Sequence, residues 1–279
     1  MKLKKFFSLL AVGVISGALF TGCGGNDNDS AQNIRLGMIT NLNASEQKVD
    51  EILKTVSAKS KIKVINHTTT FYSNIANLQM SLESGNVDEI STYECVAKYL
   101  MSKNSKLEIV PNHSMSLSDS FCFAMLSKNS GLKKNLDKAI NEMKNDGTLD
   151  KLINEYVTNA ETKEPPAVEM PHIDGADTVK VAVTGDLPPL DLVLADGKPA
   201  GFNTALLAEI AKRLQKNIEI VDIDGDARAA ALSSGKVDAV FWAIIPNDKD
   251  RPQDLDTPEG VVLSEPYFTD KIIHLKLNK

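Results

Sequence analysis

The 279-residue sequence is poor in the features that announce chemistry. Its four histidines, His67, His113, His172 and His274, stand far apart, and there is no HExxH, no GxSxG and no Gly-rich phosphate loop. No catalytic residue, no metal site and no cofactor is therefore expected. Beyond the first 23 residues the cysteines are reduced to Cys95 and Cys122, which lack metal-ligand spacing with any histidine. In an exported protein they either pair or serve as two small buried hydrophobes. Positive charge is in deficit: 31 Lys and Arg against 37 Asp and Glu leave a net charge of −6, a poor basis for binding a phosphate backbone, so no nucleic-acid partner is expected. Past the opening segment no run is long and apolar enough to span a bilayer. Trp242 is the single tryptophan.

What is present begins with Lys2, Lys4 and Lys5, an apolar run from Phe6 to Phe20, and the small residues of Thr21-Gly22-Cys23. This resembles a bacterial lipoprotein signal peptide, with Phe20 where Leu is more usual. The resemblance implies that residues 1–22 are removed and that Cys23 becomes the lipidated first residue. The other reading is an ordinary secretory signal in which Cys23 is incidental. Removing residues 1–22 takes away three lysines and no acid, moving the net charge from −6 to −9. Residues 23–33, polar and Gly-rich through GGNDNDSAQ, read as a flexible tether. One acylated cysteine would hold a soluble domain at the extracytoplasmic face of the cell membrane rather than across it.

With 42% hydrophobic residues the chain has ample material for a core. From Ile34 onward its periodicity alternates. Strands are expected over Ile34–Ile39, Ile62–Asn66, Val87–Ser91, Leu107–Val110 and Phe121–Leu126. Helices are expected over Ser45–Val56, Tyr72–Ser84 and Cys95–Met101. Such alternation with short links argues for an α/β protein, its mainly parallel sheet covered by helices.

The densest signal lies in Thr178–Leu214. A strand (Val179 to Val183) breaks at Thr184-Gly185-Asp186. Pro188-Pro189 fixes an extended turn, and Leu190–Leu194 reads as a second strand before the tight turn Asp196-Gly197. Gly201-Phe202-Asn203 then opens a helix with Leu206, Leu207, Ile210 and Leu214 on one face. A strand over Asn217–Val221, the run Ala231-Leu232-Ser233-Ser234-Gly235-Lys236-Val237-Asp238-Ala239 and Leu263-Ser264-Glu265-Pro266-Tyr267-Phe268 follow. In this order the parts resemble the first lobe of the amino-acid-type solute-binding proteins of ABC importers (bacterial family 3), including "ALxSGKVDA" and "FSxPYY". The earlier segment resembles the same family's second lobe. It carries Ala76 to Asp88 for "ALxxLxSGxVDA", Val96-Ala97-Lys98-Tyr99-Leu100 for "VAxYL", and Asp146-Gly147-Thr148 within the closing helices that end at Tyr156.

The resemblance implies a two-lobed periplasmic-binding-protein type II fold. It also implies capture of an amino-acid-like small molecule in the interlobe cleft, and delivery by a monomer to an ABC transporter permease. The lobe order is reversed, so a circular permutation is expected. Residues 34–160 would form one lobe, 161–177 a linker and 178–279 the other. A tandem or truncated repeat is the competing organisation. Alternative functions are a ligand-sensing lipoprotein without an importer, or a cyclohexadienyl-dehydratase-like enzyme on the same fold. The enzyme would draw an acid or base from Asp186 or Glu94.

Carried over position by position, the family pocket falls on residues with fewer hydroxyls and charges. Leu187 and Leu190 flank the Pro-Pro turn where the family has rings, and Phe202 follows. Trp242, Ala243 and Ile244 replace a hydroxyl-rich run, with Trp242 either core or pocket. Arg251 is either the carboxylate clamp or a solvated arginine. Asn41 and Asn43 take the place of the "GTT" turn. Tyr93 falls on the ammonium-binding aspartate, and Glu94 beside it is either the counter-charge or a helix-start carboxylate. An apolar portion in the ligand, stacked on Trp242, is the expectation.

Overall fold

The computed structural model describes residues 33–59, 66–111, 117–159 and 164–278. The expected signal peptide, the tether up to residue 32 and Cys23 lie outside the described residues. The first elements are β1 (Asn33–Ile39), α1 (Glu46–Lys59), β2 (Asn66–Tyr72), α2 (Ile75–Glu83), β3 (Glu89–Tyr93), α3 (Glu94–Lys103) and β4 (Leu107–Ile109). Next come β5 (Ser118–Leu126), α4 (Ser130–Asn145) and α5 (Thr148–Ile153). After the connecting segment follow β6 (Thr178–Val183), β7 (Asp186–Leu187), β8 (Asp191–Val193), β9 (Pro199–Ala200) and α6 (Gly201–Leu214). The chain closes with β10 (Asn217–Asp222), α7 (Arg228–Ser233), β11 (Ala239–Pro246), β12 (Val261–Leu263) and β13 (Phe268–Leu277).

Local chemistry explains most boundaries. The second strand is described over Asn66–Tyr72, where His67-Thr68-Thr69-Thr70-Phe71-Tyr72 is a β-branched and aromatic run; of the strand expected over Ile62–Asn66, residues 62–65 lie outside the described residues. Because β2 extends through Tyr72, α2 starts later than expected. Asn74 caps it, its side chain accepting from Asn77 N at 2.9 Å, so the helix starts at Ile75 rather than Tyr72. Gly201, at φ +90°, opens α6 beside the Pro-Pro turn. A Cβ there would lie 2.7 Å from the Pro189 carbonyl, so only glycine lets the helix start this close.

The strands form one continuous path, β10-β6-β11-β5-β13-β3-β1-β2, with β12 beside β5 and β4 beside β13. Each end holds a parallel trio: β2-β1-β3 in one half and β10-β6-β11 in the other. Each trio is completed by an antiparallel strand borrowed from the far part of the chain. Strand β5 pairs with β11 through Ala243↔Cys122 and Pro246↔Asp119, and β13 pairs with β3 through Ile272↔Tyr93 and Leu275↔Ile90. The first residues of β13 also pair with β5, so β13 passes from one half of the sheet into the other.

Strand pairing therefore draws the division at other residues than 160 and 178. Residues 118–159 side with the later segment, since β5 is its fourth strand and α4 and α5 pack on α6. The segment expected as a linker is tied down over its described part. Val168 N donates to Pro199 O, and Asn217 binds Ile173 N and the Ile173 and Ala176 carbonyls. Cys95 and Cys122 are both buried and both free, the small-hydrophobe reading. The second half has the denser core. Phe123, Phe202, Phe241 and Tyr267 are essentially fully buried and in mutual ring contact, and Tyr267 Oη donates to the Phe241 carbonyl.

Candidate ligand-binding site

The seam between the two halves is crossed by polar bonds. Asp256, in the loop after β11, sends Oδ1 across to Leu42 N at 2.5 Å and Asn43 N at 3.1 Å, while Oδ2 accepts from Ile244 N at 3.1 Å on its own side. Asp186 accepts from Ile75 N at 2.5 Å. Arg228 lies wholly buried over the Trp242 ring, 4.0 Å from its centroid, and donates to the carbonyls of Gly225, Trp242 and, across the seam, Thr40. Tyr93 Oη donates to Asp119 Oδ2 at 2.9 Å. Arg251 reaches Asp119 at 2.8 Å and Asp248 at 2.6 Å, and its third edge donates to Ser118 O.

Burial governs the electrostatics. It pushes the carboxyls of Asp256 and Asp186 up to about 6, against the backbone N–H groups they accept from, and raises Asp119 against the pull of Arg251. The Tyr93 phenol rises well above its ordinary value by burial and the neighbouring Asp119 charge. The buried Arg228 guanidinium is lowered.

Against this seam lies a cavity of about 120 Å³. The later segment contributes Leu187, Trp242, Ile244, Leu255 and Arg251, and the earlier one Asn41 and Tyr93. From there it runs under α1, between Val49, Ile52 and Leu53 of the helix and Leu36, Met38 and Ile272 of the sheet, to His67 and His274. His274 Nδ1 lies 3.0 Å from Glu89 Oε2, and the two imidazoles meet edge to face. Among the described residues no group of three His, Cys, Asp or Glu side chains is placed to hold a metal ion.

The structure thus gathers Asn41, Tyr93, Leu187, Trp242, Ile244 and Arg251 of the sequence-expected residues around one cavity. It does not bring the others there. Leu190, Phe202 and Ala243 are core, because Phe202 packs on Phe268 and Tyr267, and Ala243 pairs with Cys122. Asn43 and Asp186 are seam residues engaged with Asp256 and Ile75. Glu94 opens α3 and pairs with Lys98 and Lys271, the helix-start reading. Arg251 is only 6% exposed, so it is no solvated arginine, and carboxylates of this chain already hold it. Arg228 covers one face of Trp242, leaving at most the other for stacking.

Sequence reasoning passed over Asp119, Arg228 and Asp256. Arg228 had a signal, a lone cation inside the apolar run Ala227 to Leu232. Asp256 had none, since the stretch Pro252 to Val262 reads as an insertion without a pattern.

Residues 179–276 match the family of bacterial extracellular solute-binding proteins, family 3. That is the segment on which the first-lobe resemblance rests, and residues 33–159 lie outside the match. A curated relative, a probable histidine-binding protein of Campylobacter jejuni, is 33% identical over 100 residues, 36% of this chain and 36% of its own. The chain thus spans about a third of the length of the curated relative it matches. Among solved structures, a periplasmic substrate-binding protein of an ABC transporter from Coxiella burnetii aligns over 88% of this chain and 85% of its own, with 13% identity and a TM-score of 0.43. The ancestral amino acid-binding protein AncCDT-1, a precursor of cyclohexadienyl dehydratase, aligns over 88% and 82%, with 11% identity and a TM-score of 0.41. No helix of the described residues is long and apolar enough to cross a membrane.

Proposed function

We propose that this chain is an extracytoplasmic solute-binding protein, lipid-anchored through Cys23. It captures a small molecule, amino-acid-like in size with an apolar portion, between its two halves and delivers it as a monomer to the permease of an ABC importer. The observation that carries this reading is the seam cavity, to which the family-matched segment contributes Leu187, Trp242, Ile244 and Arg251 while the unmatched segment contributes Asn41 and Tyr93. A site assembled from two separately supported sheet halves suits hinge closure around a solute. Reversed lobe order is part of the proposal; its support is that the strand exchange of β5 and β13 links two trios of like order and that residues 164–177 run between α5 and β6. Asp186 and Glu94, the two carboxylates weighed for a dehydratase, are engaged at the seam and on the surface, away from the cavity.

Thermal-shift screening of the chain lacking residues 1–22 against amino acids and related small metabolites tests the reading. A true solute at a hundred times its Kd stabilises by about 2.7 kcal/mol, roughly 5–10 °C in Tm for a chain of this size. Saturable stabilisation without turnover of the compound is the expected result. Conversion of a stabilising compound into a product would replace binding with catalysis.

A further inference from the structure

One wall of the seam cavity carries an unanswered donor. Trp242 lines the cavity, is only 3% exposed, and its indole Nε1–H has no hydrogen-bond partner among the described residues. Neighbours hold the ring where it is. Arg228 lies over one face, 4.0 Å from the centroid, and the Phe121 ring sits tilted against it at 6.3 Å. A buried donor left without an acceptor costs more than its hydrogen bond would add, so an oxygen delivered there by a guest recovers that loss. The neighbouring wall sets the rest of the guest. Leu36, Met38, Val49, Ile52, Leu53 and Ile272 offer aliphatic surface. Arg251, the guanidinium on the wall, stands between Asp119 at 2.8 Å and Asp248 at 2.6 Å, so a guest carboxylate drawn to it meets two carboxylates already in place. A guest ammonium facing Asp119 competes with both Arg251 and Tyr93, and leaves the indole donor unanswered.

We infer that the cavity takes a small, mainly apolar solute bearing a neutral oxygen acceptor (a carbonyl, ether or hydroxyl oxygen), and that Trp242 is the specificity-determining residue, its Nε1–H donating to that oxygen. This narrows the solute-capture reading and rests on it. The indole N–H is itself neutral, so it satisfies a neutral oxygen but supplies no countercharge to a buried ion. The contact uses the edge of the indole rather than the face that Arg228 covers. The volume agrees: about 120 Å³ compares with the roughly 150 Å³ of an apolar cavity that binds benzene, room for a body of one ring.

The test uses the chain lacking residues 1–22 and probes built on a single ring: cyclohexanone, its isostere methylenecyclohexane, and the charged cyclohexanecarboxylate and cyclohexylamine. Trp242 is the only tryptophan, so a proton–nitrogen correlation spectrum of this chain holds one indole N–H peak. Cyclohexanone is expected to move that proton saturably downfield, the direction of a hydrogen bond to oxygen, whereas methylenecyclohexane should bind without the downfield shift. Trp242→Phe keeps a ring and loses the donor. It should weaken cyclohexanone about 5–10-fold more than it weakens methylenecyclohexane, the worth of one buried hydrogen bond. Equal weakening of the two probes overturns the role given to the indole. Should that variant not fold, the unmutated chain decides: an indole proton unmoved at saturating cyclohexanone overturns the inference. Tighter binding of the carboxylate or the amine than of the ketone overturns the neutral class and leaves solute capture standing. If none of the ring probes binds, the inference fails, and solute capture fails with it only when the metabolite screen is also blank.

Discussion

The two halves of the sheet share a strand order but not a packing density. In the second half α6 buries nearly its whole first two turns, with Phe202, Leu206 and Leu207 at 0% exposure, against a cluster of interlocked rings. In the first half α1 lays a thinner apolar stripe, Val49, Ile52 and Val56, over a sheet whose β2 is rich in threonine, and the cavity opens between them. The second half is closed framework except where Leu187, Trp242, Ile244 and Arg251 face the seam, and the first leaves the rest of the room under α1. The distinction has a physical source. Aromatic side chains fill space in the second half, whereas short aliphatic and hydroxyl groups leave it open in the first.

That contrast is easiest to break by deleting volume on both sides. Phe241→Ala removes a fully buried ring and should cost about 3–5 kcal/mol in urea unfolding, whereas Ile52→Ala, beside an existing cavity, should cost about 2 kcal/mol. Equal costs would erase the difference between the halves. Next in size is the charged seam. Arg251→Met strands the buried Asp119 and should cost about 3 kcal/mol, with Asp119→Asn in the same chain recovering part of it. A purely additive double mutant would show that the pair is not coupled.

Smaller, and specific to the seam, is a pH effect. Asp186 and Asp256 bind their protons more tightly folded, near 6, than at the ordinary carboxylate value of 3.8. The folded state therefore holds more protons, and the stability these groups contribute is fully present below 3.8 and lost as pH rises through 6. The urea midpoint should fall between pH 4 and 7 by the equivalent of on the order of 1–2 kcal/mol per group, and Asp186→Asn should flatten its share. An unchanged slope in that variant would remove Asp186 from the account. Least of all, Glu94→Gln should change stability by less than about 0.5 kcal/mol and leave ligand binding untouched, because its ion pairs are at the surface.

Much of this was legible from residues alone. The β-rich run Val179 to Val183, the Gly201 start of α6 and the Ala231 to Ala239 turn into β11 all sit where the pattern placed them. Tyr93, Trp242 and Arg251, each picked out by its position in the sequence pattern, share one cavity. Less legible was anything set by a distant neighbour. Phe202 has the sequence setting of a pocket residue and the packing of a core one. Asp256 looks like loop polarity until Leu42 and Asn43, more than two hundred residues away, are seen to converge on it.

By itself the sequence determined the succession of strands and helices and the family-matched segment, because side-chain period, turn chemistry and capping act over a few residues. Only the tertiary structure decided that β5 and β13 trade halves, that the charges of the seam neutralise one another, and that space remains under α1. Those outcomes depend on which groups meet across long loops, and the energy of a buried charge or an unfilled volume is fixed by its surroundings rather than by its place along the chain.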